Sequence, residues 1–265
     1  MVRVGLVGCG TIGTQLALAI ERRYRGTAYL TALHDVDVAC ARRLQHRLSS
    51  SPPLLPLARL IARSDLVLEA ASVAVAGRVA AAALRANRQV LIMSSGGLVM
   101  DSRWKRALAR SKGRMYVPSG ALAGVDGIKA MAVGRIRRVS LTTRKPPRAL
   151  QDAPYVRRKR LRLSSLTRPR VIFQGSAAQA IAAFPHNTNI AATLTLASSV
   201  SPKVQVVADP TIRVNRHELT VESDCGRITC QIESRPSRNP KTSELAVRSA
   251  VATLDRIFNT LQVGT

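Results

Sequence analysis

Residues 2–13 run Val-Arg-Val-Gly-Leu-Val-Gly-Cys-Gly-Thr-Ile-Gly, a short apolar run ending in three closely spaced glycines. Immediately afterwards the periodicity changes, with Leu16, Ala17, Ile20 and Tyr24 recurring at helical spacing. This junction predicts strand, tight turn and helix, and a second apolar run from Tyr29 to His34, closed by Asp35, completes a βαβ unit. Gly8 is expected to permit the turn, Gly10 to let the backbone approach a pyrophosphate, and Gly13 to let the helix pack close to the sheet. The helix start, through Thr11 and Ile12, offers unpaired N–H donors to phosphates. Asp35 is expected to accept from an adenosine ribose 2′-OH, which favours NAD, while Arg42 and Arg43 a few residues on would offset its repulsion of the extra phosphate of NADP.

Further segments alternate: helix 38–48, a Ser/Pro loop at 49–53, strand 66–69, helix 75–84, strand 89–93, helix 102–111 and strand 114–117. The pattern predicts an α/β fold, a doubly wound parallel Rossmann sheet over residues 1–117. Ligands bind beyond the carboxyl ends of such strands, so the small residues of Glu69-Ala70-Ala71-Ser72 and Ser94-Ser95-Gly96-Gly97 are placed near the cofactor, with Ala71 and Ser72 as contacts.

Beyond Pro118 the texture shifts to alternating segments at 139–143, 205–208, 216–222 and 227–233, interrupted by helical stretches at 176–184 and 189–198. These predict a second, α+β domain over 118–238 built on an open, largely antiparallel sheet. Residues 239–265 hold a last amphipathic helix, 243–261, expected to return to the first domain. An uncovered apolar sheet face would seek a second copy, so a homodimer is expected. The basic stretch from Arg144 to Arg170, with Asp152 as its one acid, is expected to be a long surface loop.

Lys and Arg number 41 against 15 Asp and Glu, a net charge of +26, yet 46% of residues are hydrophobic, which excludes a disordered chain. Such charge attracts polyanions, but aromatic residues make up only 3% and do not interleave with the basic ones, so no specific nucleic acid is expected. Cys9, Cys40, Cys225 and Cys230 form no CxxC pair, predicting reduced thiols, and neither they nor the histidines show metal-ligand spacing. The first apolar run is too short for a signal segment and no long apolar run follows, which predicts a cytoplasmic protein without a membrane span.

Several segments, taken in order, resemble the motif series of the L-aspartate dehydrogenase family: 8–13, 69–72, Tyr116 to Ala121, Thr143-Arg144-Lys145-Pro146-Pro147, Phe184 to Asn189, Asp209-Pro210, Asn215-Arg216-His217-Glu218 and Asn239 to Ser243. The resemblance spans almost the whole chain. It implies oxidative deamination of L-aspartate with NAD or NADP to iminoaspartate, which hydrolyses to oxaloacetate and ammonia or feeds quinolinate and NAD synthesis. It also implies that Ala121 and Asn187 contact the cofactor and that His217 is the catalytic histidine.

The residues themselves are compatible with that role. His186 and His217 are the two histidines of the second domain, both among polar neighbours, and an unperturbed imidazole pKa of ~6.5 suits proton exchange with an amine or a water. A substrate with two carboxylates needs cationic or N–H partners, for which Arg144 and Lys145 beside Pro146 and Lys241, Thr242 and Ser243 at a helix amino terminus are candidates. The alternatives are another two-domain NAD(P) oxidoreductase, such as a dihydrodipicolinate reductase or homoserine dehydrogenase, and a regulatory or nucleic-acid-binding protein that kept the cofactor fold.

Overall fold

The strand, glycine turn and helix form in the computed structural model, which describes residues 1–185, 189–235 and 243–264. The chain divides into two compact units, the first comprising Met1–Pro118 with Ser249–Leu261 and the second Ser119–Arg248 with the residues from Gln262 on.

The first unit alternates β1 (Val2–Val7), α1 (Thr11–Arg23), β2 (Ala28–His34), α2 (Val38–Arg47), α3 (Leu57–Arg63), β3 (Leu66–Glu69), α4 (Val73–Arg85), β4 (Gln89–Ile92), α5 (Gly96–Met100), α6 (Arg103–Arg110) and β5 (Met115–Tyr116). The sheet order is β2-β1-β3-β4-β5, with every pairing parallel. Val4, Leu6, Leu66, Val67, Leu68, Val90 and Leu91 are fully buried, because helices cover both faces and leave no solvent side for polar residues. Strand order reverses between β1 and β3, which puts the glycine turn at the switch point where such sheets bind ligands. Two helices, α3 and α5, fall where no helix is expected from periodicity. Each spans at most two turns, too few to establish a repeat, and α3 is anchored only by buried Leu60 and Ile61.

In the second unit α7 (Val125–Met131) precedes β6 (Ile136–Lys145), α8 (Pro147–Leu150), α9 (Pro154–Arg158), β7 (Arg170–Ser176), α10 (Ala177–Ala183), α11 (Asn189–Ser198), β8 (Lys203–Ala208), β9 (Asn215–Ser223) and β10 (Arg227–Ser234). The sheet order is β10-β9-β6-β8-β7, antiparallel except for the parallel pair β6 and β8. The long helical excursion between those two strands supplies the crossover that a parallel pair requires.

On β6 and β9 the odd-numbered residues Val139, Leu141, Leu219 and Val221 join Phe184, Ala191 and Leu194 in one core. The intervening Ser140, Thr142, Arg144, Glu218, Thr220 and Glu222 lie on the other face, half-exposed. On these two strands that face is polar, in place of the apolar surface expected to recruit a second copy. The basic stretch also differs from the expected long loop. It carries α8 and α9, and buries Leu150, Ala153, Val156 and Leu163 in the same core. Tyr155 packs its ring 5.4 Å from Phe173 and 5.5 Å from Phe184, so the arginines are the solvent side of an anchored segment.

The last helix, α12 (Glu244–Phe258), buries Ala250 and Leu254 within the core of the first unit. Tyr24 donates its hydroxyl to the Val251 carbonyl and to Asp255 Oδ1, both at 2.9 Å, and Arg23 forks onto Asp255 at 3.0 and 2.9 Å. Among the described residues no helix is long and apolar enough to cross a membrane.

Candidate active site

The ends of β1, β2 and β3 open onto a cavity of about 370 Å³ in the first unit, walled by Gly8, Gly10, Asp35, Ala71, Ser72 and the first turns of α4. The three glycines do three different things. Gly8 has φ +94°, and a Cβ there would stand 2.5 Å from the Ala70 backbone. A Cβ on Gly13 would fall onto the Gly8 carbonyl, so only glycine lets α1 sit against the turn. At Gly10 a Cβ would meet nothing within 4 Å, which leaves open space where the cavity wall passes over the turn.

Gly10 is also the N-cap of α1; it has no side-chain cap, and the first turn carries no acid. The first N–H groups of α1, which include Thr11 and Ile12, therefore keep the partial positive charge of a helix start available to an anion. These features fit a dinucleotide pyrophosphate.

Asp35 is held in the wall by two backbone donors, Cys9 N–H to Oδ2 at 2.7 Å and Asp37 N–H to Oδ1 at 2.9 Å. Asp37, also in the wall, caps α2 by accepting from Cys40 N–H at 3.0 Å. Arg43 reaches Asp37 at 3.9 Å, whereas Arg42 is not part of the wall. The cation in the wall is Arg78, with Val75 and Val79 beside it. These three share one face of α4, a helical repeat beginning just past Ser72 that could have marked them in the sequence. Burial pushes the Cys9 thiol up to about 12, so this sulfur stays protonated rather than acting as a nucleophile.

Glu69 is fully buried at the end of β3, and burial raises its carboxyl pKa. Its two oxygens accept from Ala71 N–H at 2.8 Å and Ser94 N–H at 3.0 Å, which ties the β3 and β4 ends together.

In the second unit His217 and Thr143 are paired across β9 and β6, with Thr143 Oγ1 and His217 Nδ1 3.2 Å apart. Lys145, two residues beyond Thr143, lies on the same buried face; both it and His217 are 4% exposed. Burial lowers Lys145 to about 8, and burial together with Lys145 lowers His217 to about 3. The imidazole is thus neutral at physiological pH, and the unperturbed value expected from sequence is corrected by desolvation beside a second base.

Arg144, by contrast, points to the polar face and pairs with Glu218 at 3.2 Å, so strand alternation removes it from the candidate substrate ligands. Buried Asn215 shares the His217 face of β9. Buried Asp209 accepts from Thr211 N–H at 2.9 Å and Thr211 Oγ1 at 2.6 Å. Ala121 belongs to this unit and is 8% exposed in its core. His186, Asn187, Lys241 and Thr242 lie outside the described residues.

A buried base whose pKa is lowered makes stability depend on pH. The unfolded chain takes up a proton near pH 6.5 whereas folded His217 resists until about 3, so its contribution is complete above 6.5 and is lost progressively on acidification between those values. The melting temperature of the wild type is therefore expected to fall more steeply across this window than that of His217→Asn. Parallel curves would show that the imidazole is not buried in solution.

A family model described as the C-terminal domain of aspartate dehydrogenase matches residues 126–257, and one described as the NAD-binding domain of homoserine dehydrogenase matches residues 8–118. The chain is 41% identical over 273 residues to an L-aspartate dehydrogenase of Methanocella arvoryzae, covering 100% of both chains. It is 39% identical over 272 residues to one of Methanosarcina barkeri, again covering 100% of both. The crystal structure of aspartate dehydrogenase from Thermotoga maritima superposes with a TM-score of 0.73 at 25% identity, covering 100% of both chains. With full-length relatives at this identity, and with the glycine turn and the histidine strand both in place, the chain belongs to the L-aspartate dehydrogenase family.

Proposed function

We propose that this chain oxidises L-aspartate with NAD or NADP to iminoaspartate, which water then converts to oxaloacetate and ammonia. The observation that carries the reading is the juxtaposition of His217 and Lys145, two bases held on one buried sheet face. A neutral imidazole accepts a proton from the substrate ammonium, freeing the nitrogen lone pair that an imine requires, and the same group relays a proton for the water that attacks the imine. A substrate carboxylate beside Lys145 stabilises its charged form against the burial that lowers its pKa, so the site favours an acidic substrate over a neutral one. That carboxylate also raises the affinity of His217 for its proton, which sets the base to work only with substrate bound.

In this reading the pyrophosphate lies over Gly8, Gly10 and the start of α1, through Thr11, Ile12 and Gly13, with Ala71 and Ser72 in the adjoining wall. When bound, the nicotinamide supplies the hydride acceptor. Asn187 and Ala121 as cofactor contacts rest on the motif resemblance, and Lys241 and Thr242 as substrate ligands rest on the need of two carboxylates for cationic or N–H partners. The cytoplasm is proposed on the four free cysteines. A homodimer through the polar sheet face rests on its interleaved Arg144, Arg216, Glu218 and Glu222, and sedimentation in low and high salt tests it.

The test is to incubate purified protein with NAD or NADP and a panel of amino acids while following reduced nicotinamide. L-Aspartate should be oxidised, and L-glutamate and L-homoserine should not; turnover of only the latter would overturn the reading. Because Asp35 and Asp37 both line the cavity, Asp35→Ala is expected to weaken NAD more than NADP, and an equal loss would mean that Asp35 does not touch the ribose.

A further inference from the structure

The arginine excess has no use in the proposed reaction, yet four arginines converge on one place. A second cavity of about 370 Å³ in the first unit is lined by Arg85 and Asn87 at the end of α4 and by Arg103, Arg106 and Arg110 of α6. The three α6 residues recur at i, i+3 and i+7, so they form one stripe about 10 Å long on the solvent side of a helix that buries Trp104 and Ala107. Arg103 is held by Asp101 at 2.7 Å. Arg85, Arg106 and Arg110 have no ion pair among the described residues.

The rest of the wall also suits an anion. Asn87 Oδ1 accepts from Lys112 N–H at 2.9 Å, leaving the amide NH₂ to donate elsewhere. Carbonyls at the end of α4 that would repel an anion are already taken, Leu84 by Asn87 N–H and Ala83 by Arg88 N–H, both at 2.9 Å.

We propose that this cavity is a second anion site, separate from the dinucleotide pocket, that takes a compact oligophosphate. Guanidinium groups recognise phosphate oxygens in pairs, and a row of them matches consecutive phosphoryl groups better than the two carboxylates of a small dicarboxylate. A nucleic-acid strand would find no stacking platform, because Trp104 is 8% exposed and turned inward, its Nε1–H donating to the Leu98 carbonyl at 2.8 Å.

Trp104 is the one tryptophan of the chain and sits on α6, so its fluorescence reports on the site. Inorganic tripolyphosphate should be titrated into NAD-saturated protein, with stoichiometry from calorimetry. One equivalent should bind and change the emission, and R106E/R110E or the milder R106Q/R110Q should weaken binding at least about tenfold with NAD affinity unchanged. The pair R22E/R25E, which removes the same charge from another surface, should bind as wild type. A nucleoside triphosphate binding more tightly than tripolyphosphate would assign the source to nucleotides, and the reverse order to free polyphosphate. Equal weakening by both charge-reversed pairs would reduce the effect to diffuse attraction and overturn the proposal. Competition by NAD, or tighter binding of an oligothymidylate per phosphate, would overturn it as well.

Discussion

Gly10→Val should leave the protein folded and raise the dissociation constant for NAD by about 10²–10⁴-fold, the loss expected when two charge-assisted N–H bonds to phosphate can no longer form. The substitution separates binding from folding because of where each glycine sits. Gly10 has φ −70°, a backbone conformation open to any residue, and a Cβ there meets nothing within 4 Å. A valine would project into the space assigned to the pyrophosphate, with its Cβ clear of protein atoms. Gly8→Val and Gly13→Val would instead fail in the fold, the first through its positive φ and the Ala70 backbone, the second through collision with the Gly8 carbonyl. Calorimetric titration with NAD, after thermal melts have shown wild-type stability, measures the effect. A folded Gly10→Val protein that binds NAD as wild type would remove the cofactor assignment.

The same contrast shows why this part of the site was legible in the sequence. Gly8 and Gly13 answer steric demands that follow from a strand entering a tight turn before a helix, and Gly10 leaves open space for a ligand. Asp35 was legible by its place at the end of the next strand. Asp37 was not, since nothing local marks the first cap after β2 as cavity wall, and Arg78 was signalled only by its helical spacing with Val75 and Val79 past Ser72. In the second unit alternation would have separated Lys145 from Arg144 had the strand been extended past Thr143. Lys145 has the parity of Val139 and Leu141, and Arg144 does not. The parallel pairing of β6 with β8 was hidden because β7 begins only where the basic stretch ends and its register shift between Val171 and Phe173 breaks the alternation that marks a strand. The depressed pKa of His217 was beyond reach for a different reason. Burial and a second base two positions along the neighbouring strand are properties of the packed sheet.

His217→Ala should lower kcat for L-aspartate oxidation by about 10²–10⁴-fold, the range that a positioned acid–base group contributes. Forming an imine requires the substrate nitrogen to lose a proton as hydride leaves the carbon, and hydrolysis then requires water to lose one. His217, neutral in the free enzyme because burial and Lys145 hold it near 3, accepts the proton once a substrate carboxylate beside Lys145 raises its proton affinity. An amide at this position keeps much of the volume and can still bond to Thr143 but cannot carry the proton, so His217→Asn should lose kcat nearly as far while KM for L-aspartate changes little. A merely structural role would give the opposite pattern, with asparagine restoring rate and alanine losing stability. Lys145→Met provides the contrast within the same face, because removing a charge partner for the substrate should raise KM more than it lowers kcat. If His217→Ala, shown to be folded, kept near wild-type kcat while His186→Ala lost it, the proton-transfer role would belong to His186.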